Sequence, residues 1–184
     1  MIRVMRAELI LALMLVLVSP GWAAHEAVML GPYNVSFDMN TTTPYQIFTE
    51  QPAIGVTSSG FKFVRYNMSV ETADYFAWVI LTGYEKGMLA SINSNKDIVE
   101  AALMASGCES PKLYQPLIDG QPGVLGNCRF ENGEVLVVAS YSPDGAVREN
   151  GEYSGQTDCR VMSIFPWEIT RDMLYTMHVE VPAQ

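Results

Sequence analysis

Leu117-Ile118-Asp119-Gly120-Gln121 and, a few residues on, Cys128-Arg129-Phe130-Glu131-Asn132-Gly133-Glu134-Val135-Leu136-Val137-Val138-Ala139-Ser140-Tyr141 decide the reading of the fold. Asp-Gly and Asn-Gly pairs suit two-residue hairpin turns, whose central residues take positive φ. The first pair joins Leu117-Ile118 to the segment that runs to Phe130, and the second joins that segment to Val135–Tyr141. With a two-residue turn at Asn132-Gly133, Cys128 and Phe130 share a face with Val135, Val137, Ala139 and Tyr141. That face is the predicted core side of a β-meander.

Working outward, the period changes to helical over residues 94–106. Ser94 with Asp97 three residues on reads as the cap, Ile98, Ala101, Ala102 and Ala105 recur at helical spacing, and Gly107 closes the end. Before the helix, residues 33–40 and 61–70 alternate apolar and polar as half-buried strands do. A short segment around residues 45–49 reads as a hairpin partner of the first, and residues 51–60 as a loop. Residues 75–82 are almost continuously apolar, as in a central strand covered on both faces. After the meander, residues 142–156 read as a loop, 157–165 as a strand and 166–177 as a closing helix with Ile169, Met173 and Met177 at intervals of four. Strands, helix, strands, helix, without strand–helix alternation, predicts an α+β domain: an antiparallel β-sheet with helices packed on it.

The N-terminus places Arg3 and Arg6 before an apolar run from Leu9 to Val18 and then Ser19-Pro20-Gly21. This is the order of a secretory signal peptide, and small Gly21 and Ala23 suit cleavage after Ala23. The apolar run is too short for a bilayer core, which needs about 20 residues. The expected division is therefore a signal peptide over 1–23 and one extracytoplasmic domain over 24–184, with no transmembrane segment in the mature form. The chain has 11 basic against 20 acidic residues and a net charge of −9. Loss of Arg3, Arg6 and Glu8 takes this to −10. Such a charge repels phosphate backbones and anionic lipid, so nucleic acid is excluded as a natural partner.

Three sequons fit export: Asn34-Val35-Ser36, Asn40-Thr41-Thr42 and Asn67-Met68-Ser69. In the alternating segments Asn34, Asn40 and Asn67 all fall on the polar side, where glycosylation is sterically open. Three cysteines in an exported chain suggest one disulfide and one leftover thiol. If Ile118 faces Gln121, Cys128 faces Pro111 and lies near Cys108. Cys128 and Cys159 would instead stand two strands apart, beyond the roughly 7 Å Cα limit for a bridge. Cys108–Cys128 is the favoured pair and Cys159 the free thiol, buried or linking two molecules; three buried reduced thiols are the alternative.

The chemistry-bearing residues form no catalytic signature. His25 and His178 lack partners at metal-ligand spacing, and there is no nucleophile elbow, P-loop, zinc-protease or dinucleotide motif. Asp97/Glu100, Glu131/Glu134 and Glu149/Glu152 read as solvated faces and turn flanks, and the acidic loop from Asp144 to Asp158 lacks the dense spacing of a calcium loop. No cofactor is implied. Among many tyrosines, Tyr84 and Tyr153 fall in predicted loops and are the candidate binding surface.

Gly31-Pro32-Tyr33-Asn34-Val35-Ser36-Phe37, the helix from Ser94, the turn Ile118-Asp119-Gly120-Gln121-Pro122-Gly123-Val124-Leu125-Gly126 and the end Asp172-Met173-Leu174-Tyr175-Thr176-Met177-His178-Val179 resemble small secreted proteins of methanogenic archaea. Their element order resembles the PsbP/Mog1-like α/β/α sandwich. The resemblance implies an antiparallel sheet between helices and a binding or accessory role, and it carries over no functional residue. The expected function is a non-enzymatic extracytoplasmic binding or accessory module at the cell surface, whose partner is a cell-envelope protein or glycan. A self-assembling envelope subunit, a homo-oligomer linked through Cys159 or a strand edge, is the alternative, and an enzyme of unrecognised type the second.

Overall fold

The computed structural model describes residues 24–86, 89–149 and 151–182. The expected signal peptide and its cleavage site lie outside the described residues. The fold is mixed, with about 51% strand and 15% helix, and every strand pair is antiparallel. At that level the α+β reading stands.

In chain order the first elements are β1 (Ala24–Leu30), β2 (Tyr33–Met39), β3 (Gln46–Thr49), β4 (Ala53–Val56), β5 (Lys62–Glu71), β6 (Phe76–Tyr84) and β7 (Ala90–Ser91). Next come α1 (Ile92–Ala105), β8 (Lys112–Tyr114), β9 (Leu117–Ile118), β10 (Gln121–Arg129) and β11 (Val135–Tyr141). Last are β12 (Ala146–Val147), β13 (Tyr153–Gly155), β14 (Thr157–Ser163), α2 (Trp167–Thr176) and β15 (His178–Glu180). A nine-stranded sheet dominates, in the order β3-β5-β6-β14-β11-β10-β8, with β4 beside β5 and β9 beside β10. It consists of two meanders, one on each side of α1 in sequence, joined where β14 pairs with β6 from Thr157↔Gly83 to Ser163↔Ala77. Two small sheets, β1-β2-β15 and β12-β13-β7, complete the fold.

Alternation along the strands gives the large sheet two different faces. On one, Met68, Val70, Ala77, Val79, Leu81, Val137, Ala139, Tyr141, Cys159 and Val161 are buried in one cluster with Val35, Phe37 and Met39 of β2 and Met173 and Leu174 of α2. On the other, Val99 and Leu103 of α1 close over Val124, Leu136 and Val138. Each such fully buried aliphatic side chain contributes roughly 1.5–3 kcal/mol.

Several expectations are corrected here. The Asn132-Gly133 turn is a three-residue loop, in which the Phe130 N–H donates to the Glu134 carbonyl and Gly133 takes φ +90°. The register is therefore Cys128↔Leu136 and Asn127↔Val137. A one-residue slip exchanges the faces, so Cys128 points to the α1 side and away from Val137, Ala139 and Tyr141. The two-residue turn would have set Glu131 directly opposite Glu134, an unfavourable like-charge pair. Helix α1 begins a turn earlier than predicted, capped by Ser91 in a reciprocal capping box with Ser94. Its buried residues are Asn95, Val99 and Leu103, whereas Ala101 and Ala105 are exposed.

Strand β3 pairs with β5 and not with β2, and the expected loop contains β4, which continues along the same edge of β5. The expected loop over 142–156 holds β12 and β13. Helix α2 ends before Met177, and His178 begins β15 on β2. Finally, β6 is fully covered on one face, where Ala77, Val79 and Leu81 are buried, and only in part on the other, where Thr82 is buried but Trp78 is 44% exposed.

Candidate functional site

The half-open face of β6 is traced by the register across the sheet. Residues paired directly opposite one another share a face, so Gly126, Val138, Met162, Trp78, Ser69 and Phe48 form one row. At its first end the helix sits directly on the strand: a Cβ on Gly126 would meet Leu103 Cδ1 at 2.5 Å and Val99 Cγ1 at 3.0 Å. Val138 is fully buried there. At the other end Trp78 is 44% and Phe48 47% exposed. Helix α1 thus shields β10 and β11 and leaves the face of β6, β5 and β3 open. Phe76 and Trp78, neighbours on that face, bring their ring centroids to 4.8 Å.

Between the shielded and open halves lies a polar group. The next rows contain Ser140, Arg160, Ile80 and Asn67, then Asp158, Thr82 and Arg65. Ser140 Oγ donates to Asp158 Oδ1 at 2.7 Å and stands 3.3 Å from Asn95 Oδ1. Asp158 is wholly buried. Asp158 Oδ2, Asn95 Nδ2, Asn67 Oδ1, Arg65 Nε and Arg160 Nε are buried without a hydrogen-bond partner. Buried polar groups are ordinarily paired, which makes this concentration informative.

The register sets Ser140, Asp158, Asn67, Arg65 and Arg160 on one face of the sheet. Burial holds the Asp158 carboxyl above the ordinary carboxylate value, against the opposing effects of the Ser140 bond and of Arg160 and Arg65. Burial and the nearby Asp158 likewise raise the Tyr84 phenol, which Arg160 and Arg65 pull down. Arg65 Cζ stands 5.4 Å from the Phe63 ring centroid, and Phe63 meets Tyr84 edge-on at 6.4 Å. The ion pairs His25–Asp38, Arg171–Asp172 and His178–Asp119 involve neither Arg65 nor Arg160.

The residues singled out in the sequence are distributed as follows. Cys108 and Cys128 stand at disulfide distance, with Cα atoms 5.9 Å apart. The Ile118↔Gln121 pairing and the Asn127↔Lys112 pairing bring them there. Cys159 is free and fully buried, with its thiol pushed up by burial; a link between molecules through it would require the core to open. Asn34 and Asn40 lie opposite the buried side of β2, Asn34 half-buried and Asn40 exposed. Asn40 Nδ2 donates to Asp172 at 3.2 Å, and Asn67 Nδ2 to Glu50 at 2.8 Å. Tyr84 belongs to the polar group on the sheet. Tyr153 belongs elsewhere: its hydroxyl donates to Gln121 and its ring lies against Gly145.

His25 and His178 are each bound to a carboxylate, Asp38 at 2.8 Å and Asp119 at 2.7 Å. In the acidic loop, Asp144 accepts the backbone N–H groups of Gln156 and Thr157, both at 2.9 Å, a loop-closing role. An open cleft of about 500 Å³ adjoins it, lined by Lys86, Leu89, Arg148 and Val181 among others. Among the described residues no three His, Cys, Asp or Glu side chains gather as metal ligands.

Sequence reasoning passed over Arg65, Trp78, Asn95, Asp158 and Arg160. The available signal was charge inside strands: Asp158 and Arg160 flank Cys159 in a segment otherwise read as core. Comparison with protein-family models, curated proteins and solved structures finds no match.

Proposed function

We propose that this chain is a non-enzymatic extracytoplasmic binding or accessory module of a cell envelope, and that it meets its partner through the open face of β3, β5 and β6. The observation that supports this most is Trp78, an indole 44% exposed in the middle of a central strand and in one row with half-exposed Phe48, two strands away. Tryptophan and tyrosine are enriched in contact surfaces, whereas a central strand ordinarily covers such rings. The Cys108–Cys128 pair and the absence, among the described residues, of a helix long and apolar enough to cross a membrane are compatible with this location. A PsbP/Mog1-like sandwich remains part of the reading, supported by an antiparallel sheet that carries helix on one face and helix with strands on the other.

A photo-crosslinking residue at position 78 tests the proposal in the native envelope. The expected result is a discrete adduct from position 78 and none from position 96, on exposed Lys96 of α1. Equal or absent adducts at both positions would overturn it.

One observation favours self-assembly as a second reading. The outer edge of the sheet at β4 displays Ile54, 81% exposed, and Val56, 62% exposed, and apolar open edges pair readily with another chain. Sedimentation should then show a dimer that Ile54→Lys dissociates; a monomer at high concentration would eliminate this reading.

A further inference from the structure

We propose that the open face binds an acidic sugar, its carboxylate held by Arg65 and Arg160 and its ring laid on Trp78; the assignment rests on the contact-face reading above. The chain carries a net charge of −9, yet Arg65 and Arg160 flank β6 on one face, one row apart, and neither is in the ion pairs named above. Asp158 is wholly buried and already engaged by Ser140, and Glu50 and Glu71 accept from Asn67 and Ser69 of the same face. Both Nε–H groups lack an acceptor. A guanidinium offers a planar fork that matches a carboxylate, and unpaired forks half-sunk in a sheet are costly without such a ligand.

The spacing suits a short oligosaccharide. Trp78, Ile80 and Thr82 follow one another on the open face of β6, so the three rows lie about 7 Å apart. Arg160 flanks the middle row and Arg65 the last. Phe76 and Trp78, with their rings tilted 37° to each other, supply an apolar surface for the C–H face of a pyranose. Asn67 Oδ1, without a partner, lies in the middle row between the aromatic and cationic ends as an acceptor for a sugar hydroxyl. Extended peptides take sheet edges or grooves, and this surface is the flat face of inner strands. A densely charged polyanion would be repelled by the rest of the molecule, whereas isolated carboxylates spaced by neutral hydroxyls would not.

Calorimetric titration of the exported protein with the trimer of galacturonic acid and with its uncharged methyl ester tests the assignment. The acid is expected to bind at least about tenfold more tightly at low salt, with the gap narrowing at about 0.5 M salt as screening removes the charge term. Arg65→Gln and Arg160→Gln are each expected to abolish that preference, and Trp78→Ala to weaken both ligands. Arg65→Lys, which keeps charge but not the fork, serves as a folded variant of intermediate preference. Equal affinity for acid and ester, a preference that survives both glutamine variants, or no binding of either sugar overturns the acidic-sugar assignment. A partner crosslinked at position 78 in those cases shows that the contact face itself stands. Loss of that crosslink overturns the contact-face reading instead.

Discussion

Ser140 and Asp158, on neighbouring strands β11 and β14, share a 2.7 Å hydrogen bond wholly inside the protein, and the second carboxylate oxygen of Asp158 has no partner. Burial raises this carboxyl above its ordinary value. The folded state therefore holds the proton more tightly than the unfolded chain, and stability contributed by Asp158 is present below the unfolded value of about 4 and lost as pH rises through the folded one. Asp158→Asn should remove that slope. Above the folded value the variant is expected to be the more stable by about 1–3 kcal/mol, the cost of an unmet buried polar group, with the difference vanishing near pH 3 in urea titrations.

The Cys108–Cys128 pair spans a sequence separation of 20 residues and ties the end of α1 to β10. Replacing both by alanine should cost about 3 kcal/mol in the chain-entropy account, read as a lower thermal midpoint. Cys159 should resist thiol reagents in the native protein and react once it is denatured, since it is buried and its thiol is held protonated. Mass spectrometry after alkylation distinguishes one reactive site from three.

Gly126 lets α1 lie on β10. In Gly126→Ala the new methyl meets Leu103, Leu113 and Val99 within 3.0 Å, and overpacking of this kind costs about 1–3 kcal/mol. The loss should appear in urea midpoints with the slope unchanged.

Residues on the two faces of β6 should respond differently. Leu81→Ala empties a buried site and is expected to cost about 2–5 kcal/mol. Trp78→Ala removes a half-exposed ring and its contact with Phe76, worth about 0.5–1.5 kcal/mol beyond area, and is expected to weaken binding of both sugar ligands. Denaturation and titration on the same two variants check the split.

The elements with strong local signals were legible. Residues 33–39, 62–71 and 135–141 form strands where alternation placed them, and the Asp119-Gly120 turn brings Cys128 beside Cys108 as its two-residue count requires. The errors arose where one residue of turn length changes a whole face, as at Asn132-Gly133, or where two serines compete to cap one helix, as at Ser91 and Ser94. The site was hidden for a different reason. Asp158 meets Ser140 from 18 residues away and Arg65 reaches the same group through β6, so nothing in a local window joins them. Even Asp119, legible as a turn residue at φ +54°, also accepts the Val179 N–H at 2.9 Å, a contact across 60 residues.

The junction of β6 with β14 has a consequence for how the chain acquires its structure. Residues 76–84 have their second neighbour only when residues 157–163 are in place, so the pairing at the middle of the sheet is also a late one along the chain. Contacts of such long sequence separation slow folding. Through that interval β6 presents an unprotected edge that invites pairing with other molecules, and a nascent or translocating chain would depend on a chaperone, or on its own low concentration, until the second meander arrives.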